Sequence, residues 1–229
     1  MEIIQNIKVA VDAVVFGYSE NKLQILLIQQ KFGAGRDRWA LPGGFVLDQE
    51  SLDAAVVREL KEETGIKVNY LEQLYTFGAV DRDTRGRVIS VAYLALINPE
   101  FFTLLAGSDA KDVGWFDVHQ LPELAYDHEQ IIKAGLSRLQ NKIHYEPIGF
   151  ELLDPEFPFS DIERLYQVIM DNSLDRRNFR KKLLSFGFLE ETANIHKPAS
   201  GRPAKLFRFN AEKYKALKSK GIHFEIKFV

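Results

Sequence analysis

Between positions 44 and 66 the chain reads Gly44, five residues, Glu50, seven residues, and then Arg58-Glu59-Leu60-Lys61-Glu62-Glu63-Thr64-Gly65-Ile66. Seven residues (Gly44, Glu50, Arg58, Glu59, Glu62, Glu63, Gly65) and two bulky aliphatics (Leu60, Ile66) stand at spacings that strongly restrict the local fold. Ser51 offers a hydroxyl suited to an N-cap, where it accepts from an otherwise orphan backbone N–H. A helix can then run to Thr64 and stop at Gly65, where a left-handed backbone costs glycine little. At about 100° per residue, Glu59, Glu62 and Glu63 fall within one arc of roughly 100°. Val56, Val57 and Leu60 occupy the adjacent sector and are expected to anchor the helix to a core. Three carboxylates so close together repel one another unless a cation lies between them. Hard oxygen ligands suit Mg2+ or Mn2+, and such an ion would polarise a phosphoryl oxygen and activate a bound water. A merely solvated acidic face explains neither Gly43-Gly44 nor the placement of Glu50 and Arg58.

The segment resembles the Nudix box, which binds divalent metal and pyrophosphate in hydrolases of nucleoside diphosphates linked to another moiety. The resemblance implies that Glu59, Glu62 and Glu63 are metal ligands. Glu62 and Glu63, with Arg58 and Glu50, would form the catalytic set, with Arg58 orienting a carboxylate. Gly44 would shape the loop leading into the helix, and Gly43 and Gly44 would border the ligand.

The remainder of the first half is consistent with such a domain. Stretches 8–16, 24–30, 71–77, 87–97 and 113–116 have strand character, and Trp39 to Gly44 is a short strand running into the Gly-rich entry of the helix. A helix is expected over 127–141, capped by Asp127, with Ile131, Ile132, Leu136 and Leu139 as its apolar stripe. Strands with two long helices fit an α/β/α sandwich, over about residues 1–145. Arg36, Arg38, Arg82 and Arg85 lie in loops where they could flank a pyrophosphate or a sugar, though exposed structural arginines are as consistent with the pattern. His128 could contact a ligand from a helix start, although a surface or capping role is the simpler reading. Trp39 and Trp115 are most simply core.

Residues 145–158 contain three prolines and a glycine and read as a connector, with a linker over 146–158. The last part of the chain, 159–229, has a different character. Residues 1–150 carry 15 Lys/Arg against 21 Asp/Glu, residues 151–229 carry 15 against 11, and from Asn172 onward the count is 14 against 5. An acidic first domain and a basic tail suggest a small-molecule module joined to a polyanion-binding one. Ser160-Asp161-Ile162-Glu163 reads as a capping box opening a helix with Ile162, Leu165, Tyr166 and Ile169 on one face. A second helix, from about Leu174 or Asp175 to Phe186, has Phe179, Leu183 and Phe186 as its core stripe. Its remaining surface holds Arg176, Arg177, Asn178, Arg180, Lys181 and Lys182. Segments 188–191 and 206–209 then read as paired strands around a basic tip, Lys197 to Lys205.

Helix, turn, basic helix and basic hairpin form the layout of a winged helix-turn-helix (α+β), whose second helix enters the major groove. Arg176, Arg177 and Asn178 suit base edges, Arg pairing with guanine and Asn with adenine. Arg180, Lys181, Lys182 and Lys205 complete the expected DNA-binding set, the three lysines suiting phosphates in particular. Gly201-Arg202-Pro203 is similar to short minor-groove hooks, so Arg202 is a candidate for that groove, with an ordinary hairpin turn as the alternative.

A Nudix domain (α/β) followed by this winged helix resembles the Nudix-related transcriptional regulators of bacteria. Leu174 to Arg180 is similar to their recognition helix, and Asp83 to Ser90 to a loop and strand of their ADP-ribose-hydrolase relatives. The resemblance implies a homodimeric repressor that leaves a double-stranded, palindromic DNA operator when its Nudix domain binds a metabolite, either ADP-ribose or a pentose such as L-arabinose. The intact box keeps open a second reading, a Mg2+- or Mn2+-dependent hydrolase of ADP-ribose or a nucleotide sugar. The chain has no cysteine, which excludes disulfides, thiolate zinc sites and a cysteine nucleophile. With no signal-like N-terminus and no apolar run long enough to span a bilayer, a cytoplasmic protein without membrane association is expected.

Overall fold

The structure, a computed structural model, describes residues 6–107, 110–197, 202–221 and 224–226. The chain divides into two compact units, one of Met1–Ser19 with Leu23–Ser137, the other of Glu20–Lys22 with Arg138–Val229.

The first unit is built on a seven-stranded mixed sheet. Its strands are β1 (Lys8–Ser19), β2 (Lys22–Gln30), β3 (Trp39–Ala40), β4 (Gly43–Phe45), β5 (Tyr70–Phe77), β6 (Val88–Leu96) and β7 (Ala110–Asp117). The order is β3-β2-β1-β6-β5, with β4 added to β1 and β7 added to β2. β1 and β6 pair in parallel from Lys8–Val88 to Phe16–Leu96. Glu20 and Asn21 take positive φ between β1 and β2, as a tight hairpin requires. Because side chains alternate across a strand, Val11, Ala13 and Val15 of β1 face one layer. There they meet Ala55, Val56 and Leu60 of helix α1 (Leu52–Thr64). On the opposite face Val14 lies against Gly135 of helix α2 (His128–Lys142). The two helices therefore cover opposite faces of the sheet.

Helix α1 is capped as its sequence dictates. Ser51 Oγ accepts from the Ala54 N–H, and Gly65 closes the helix at φ 75°, its N–H donating to Lys61 O. Ala55 rather than Val57 completes the buried stripe: Val57 is 44 % exposed. Trp39 and Trp115, expected in the core, are only half-buried. Trp39 packs its ring edge-on to Phe116 at 4.5 Å.

The second unit contains helices α3 (Phe159–Met170), α4 (Arg176–Ser185) and α5 (Ala211–Ser219). Its three-stranded antiparallel sheet has the order β8 (Phe157–Pro158), β10 (Ala204–Phe209), β9 (Leu189–His196). The expected capping box does not form: α3 starts at Phe159 behind Pro158, and Ser160 lies inside the helix. Ile162, Leu165, Tyr166 and Ile169 are buried as their spacing predicts. They join Phe179 and Leu183 of α4 and Phe157, Phe159, Phe188 and Phe207 in an aromatic-rich core. Phe186, at the end of α4, is half-buried and stacks on Phe188 at 5.6 Å. Helix α5 has no counterpart in the sequence reading, and none of its residues is buried. Among the described residues, no helix is long and apolar enough to cross a membrane.

Candidate functional site

In the first unit, β4 carries the two glycines past the side chains of α1. Gly43 donates its N–H to Glu63 Oε2 at 2.8 Å. A Cβ on Gly44 would come within 2.3 Å of Glu59 Oε1, so any side chain there would push the carboxylate out of its present place. Arg58 organises the other acidic residues. Its Nε and Nη2 form a fork on Glu50 at 2.9 and 2.6 Å, and its Nη1 reaches Glu59 at 2.7 Å and Glu62 at 3.2 Å. The Arg58 hydrogen bond, aided by the Leu47 N–H, lowers the Glu50 carboxyl to about 2. Glu59 is pushed the other way by burial, which Arg58 only partly offsets. Arg58 thus holds three carboxylates at once. Among the described residues no three acidic or histidine side chains converge as a ready cage for an ion. Instead the Arg58 guanidinium stands against Glu50, Glu59 and Glu62.

Beside these glycines lies a pocket of about 160 Å³, whose lining includes Asp12, Gly43, Gly44, Phe45, Arg85 and Tyr126. A second pocket of about 330 Å³, lined among others by Arg38, Asp81, Thr84 and Gln130, shares Arg82 and Tyr126 with it. Of the candidate ligand-binding residues, Gly43, Gly44, Arg82, Arg85 and His128 border the first pocket, and Arg38 joins Arg82 at the second. Arg36 borders neither, and its Nε lies 3.5 Å from Asp37 on the surface.

Arg82 is not an exposed loop arginine. Its side chain is 4 % exposed and grips Asp127 through Nε at 2.9 Å and Nη2 at 2.7 Å, with Asp12 at 3.5 Å. Burial disfavours its charge, but Asp127, Asp12 and Asp83 outweigh that and raise its pKa. The Asp127 carboxylate is consequently turned to Arg82, and the Gln130 and Ile131 N–H groups at the start of α2 bond to Asp127 O instead.

His128 is buried as well, contrary to a surface or capping role. Its Nδ1 accepts the Leu41 N–H at 2.8 Å, so the ring proton belongs on Nε2, which is 3.5 Å from Asp12 Oδ1. Burial lowers its pKa and keeps the ring neutral, against the pull of Asp12 and Asp127. The Ser90 hydroxyl donates to the remaining Asp12 oxygen. Arg85 is held by a fork on Asp83, which lowers the Asp83 pKa. The Arg85 guanidinium stands over both Phe45 and Tyr126, at 5.5 and 5.3 Å. Asp12, Phe45 and Tyr126 were not singled out from sequence, and Asp83 and Ser90 entered only as the ends of a segment that carries a resemblance. Asp12 and Ser90 lie inside apolar strands, and nothing local marks Tyr126, whose left-handed φ of 54° turns the chain into α2.

In the second unit, α4 presents Arg176, Arg177, Asn178, Lys181 and Lys182 as exposed residues. Asp175 caps the helix, accepting from the N–H groups of Arg177 and Asn178. Arg180, although exposed, is laid over Phe159 at 4.2 Å and Phe207 at 5.6 Å, tying α4 to α3 and β10. Lys205 pairs with Glu191 at 2.5 Å across the hairpin. Arg208 and Lys213 both pair with Glu190, whose carboxyl is lowered to about 2 by hydrogen bonds from Lys213, Asn210 and Arg208. Arg202 is exposed, and Gly201 of the expected hook lies outside the described residues.

The NUDIX domain profile matches residues 7–135, and the NrtR DNA-binding winged helix domain profile matches residues 149–209. The chain belongs to the Nudix family and carries an NrtR-type DNA-binding winged helix. It is 36 % identical over 208 residues to the ADPR responsive transcriptional repressor NtrR of Acinetobacter baylyi, covering 89 % of this chain and 82 % of that one. It is 46 % identical over 126 residues to the ADP-ribose pyrophosphatase of Methanocaldococcus jannaschii, covering 55 % of this chain and 70 % of that one. The crystal structure of Shewanella oneidensis NrtR complexed with a 27mer DNA superposes with a TM-score of 0.81 at 31 % identity, covering 90 % and 95 % of the two chains. In this Nudix-winged-helix chain, the basic face of α4 is thus on a DNA-binding domain.

Proposed function

We propose that the chain is a transcriptional repressor, active as a homodimer on a palindromic operator, whose Nudix domain takes ADP-ribose as its effector. The observation that carries this reading is the pair of adjoining pockets that meet at Arg82 and Tyr126 beside the box glycines, in a chain that also has a winged helix. A cleft in two parts, with Arg38 at one and Arg85 at the other, fits a two-ended diphosphate better than one pentose ring. The names of the Acinetobacter and Methanocaldococcus relatives point the same way. Arg85 would take phosphate oxygens while Phe45 and Tyr126 hold it in place, and the Gly43-Gly44 backbone allows close approach. On DNA, two copies of α4 would occupy major grooves about 34–36 Å apart or a multiple of that. Release requires only that ADP-ribose favours the DNA-incompetent state, by several kcal/mol for a near-complete switch.

The test is fluorescence anisotropy on a duplex from the chain's own upstream region, repeated with ADP-ribose and with L-arabinose. Loss of binding with ADP-ribose alone is expected. Release by L-arabinose alone would replace the effector, and failure of either to change affinity would sink the sensing mechanism.

The intact box supports a second activity. The oxygen-only donors Glu59, Glu62 and Glu63 suit Mg2+ or Mn2+, and the raised Glu59 pKa is a burden that a neighbouring cation relieves. When bound, such an ion supplies Lewis-acid polarisation of a phosphoryl oxygen. The chain's own part is to hold the carboxylates through Arg58 and the Gly43 N–H, and to seat the diphosphate. AMP release from ADP-ribose that needs metal and vanishes in Glu62→Gln would establish hydrolysis. Glu62→Gln protein that still leaves the operator with ADP-ribose would show that sensing needs no chemistry.

A further inference from the structure

The one carboxylate that opens α4 serves two groups at once. Asp175 Oδ1 accepts from the backbone N–H of Arg177 and of Asn178, both at 3.1 Å. Its Oδ2 accepts from the side-chain Nδ2 of Asn178 at 2.6 Å. The first pair is an ordinary helix cap. The second has a consequence for recognition, because an ionised carboxylate only accepts hydrogen bonds. Asn178 must therefore turn its amide nitrogen, not its oxygen, toward Asp175. One of its two N–H groups is then committed, and the other N–H and Oδ1 are left for an outside partner on an exposed side chain.

One acceptor beside one donor is the complement of adenine's major-groove edge, which offers an N6–H donor and an N7 acceptor. Guanine offers two acceptors there and does not match. We propose that Asp175 is a positioning residue that fixes the Asn178 amide in the orientation that reads adenine. The inference rests on the DNA-binding reading of α4 and adds to it the base preference and the residue that sets it. An amide with its flip settled before binding loses less freedom on contact than a freely turning one, which favours discrimination between bases.

Two substitutions separate positioning from capping. Asp175→Ser keeps a good capping oxygen but has no second oxygen to hold the amide. Asp175→Asn keeps a capping oxygen and turns an amide nitrogen toward residue 178. The Asn178 oxygen must then face inward, leaving only N–H donors outward, which suits guanine.

The experiment selects duplexes from a randomised DNA library with the full chain, then measures anisotropy on the selected duplex and on its single A·T→G·C variants. For the wild type, one A·T pair per half-site should discriminate by on the order of 10-fold or more. Asn178→Ala should abolish discrimination at that pair, and Asp175→Ser should weaken it with little change at other positions. Asp175→Asn should move the preference at that pair toward G·C. Asp175→Ser combined with Asn178→Ala should be no worse at that pair than Asn178→Ala alone. Far-UV circular dichroism checks that α4 persists in each variant. Unchanged base preference in both Asp175 variants, or in Asn178→Ala, would overturn the proposal. A pure cap would alter affinity for all sequences alike. If the wild type enriches no sequence, specific DNA binding itself fails, an outcome distinct from loss of Asn178 readout.

Discussion

At the scale of single residues, the polar floor of the first pocket is decided by one guanidinium and its carboxylates. Arg82 is buried with a two-pronged bond to Asp127, and Asp12 stands between Arg82, His128 and Ser90. A buried charge without its partner is far costlier than the pair itself is stabilising. Asp127→Ala should therefore destabilise the first unit by roughly 3–5 kcal/mol. The double variant Arg82→Met with Asp127→Ala should lose less, since the guanidinium that Asp127 grips with two bonds is gone, while Asp12 keeps Ser90 and His128 beside it. The two tryptophans, Trp39 and Trp115, both lie in the first unit. Their fluorescence during urea unfolding reads this unit alone, and equal losses in the single and double variants would refute the argument. Ligand affinity should fall with Asp127→Ala, because the loop carrying Arg82 and Arg85 borders both pockets.

Among the elements, α1 and α4 reach their conformations by different means. α1 has a cap at each end and an apolar stripe, so local sequence and packing agree. α4 has ten residues, with a cap from Asp175 and a surface dense in like charge. A helix that short is marginal by itself, and its stability must come from Phe179 and Leu183, which are buried. Phe179 contacts Phe159 and Tyr166 at ring distances of 6.1 and 5.0 Å. Phe179→Ala should cost the second unit about 3–5 kcal/mol. The circular-dichroism unfolding transition of that unit should move to lower urea while tryptophan fluorescence stays at its wild-type midpoint. Arg180 belongs to the same account: lying over Phe159, it is a brace first, and Arg180→Ala should loosen α4 as well as remove a charge.

Across the whole molecule, charge is segregated by domain, 15 basic against 21 acidic residues over 1–150 and 14 against 5 from Asn172 onward. An acidic Nudix domain would be repelled by DNA, leaving the basic winged helix as the part that approaches the duplex. Operator affinity should accordingly fall steeply with salt, with a log–log slope of about −0.9 for each phosphate neutralised. Lys181→Ala and Lys182→Ala should each flatten that slope without changing base preference, whereas Arg176→Ala and Arg177→Ala should relax preference at particular positions. Light scattering of the free protein should give twice the chain mass. A monomer that remains one on DNA would remove the dimeric part of the proposed mechanism.

Elements whose signals are local were legible in the order of residues alone. Gly44 to Ile66 implied a capped helix with its glutamates in one arc, and the 3.6-residue stripes of 162–169 and 179–183 implied the buried faces of α3 and α4. The charge switch near Asn172 marked the basic segment that belongs to the winged helix. Where local cues conflicted with packing, packing prevailed. Val57 lies on the exposed side of α1 while Ala55 joins Val56 and Leu60 in the buried stripe, and the Ser160 cap gave way to a helix that starts behind Pro158. The pocket was legible only in part. Arg85 and the two glycines came from motif and loop character, but Asp12, Ser90 and Tyr126 lie 36 to 114 positions from one another in sequence. Only the parallel pairing of β1 with β6 sets Ser90 against Asp12, and only the left-handed turn into α2 brings Tyr126 to the cavity that Asp12 lines. Likewise a basic residue in the sequence does not disclose whether its charge faces solvent, a ring or a carboxylate. The tertiary structure decided that, laying Arg180 over Phe159 and burying Arg82 against Asp127, because burial makes a charge tolerable only where a partner lies within reach.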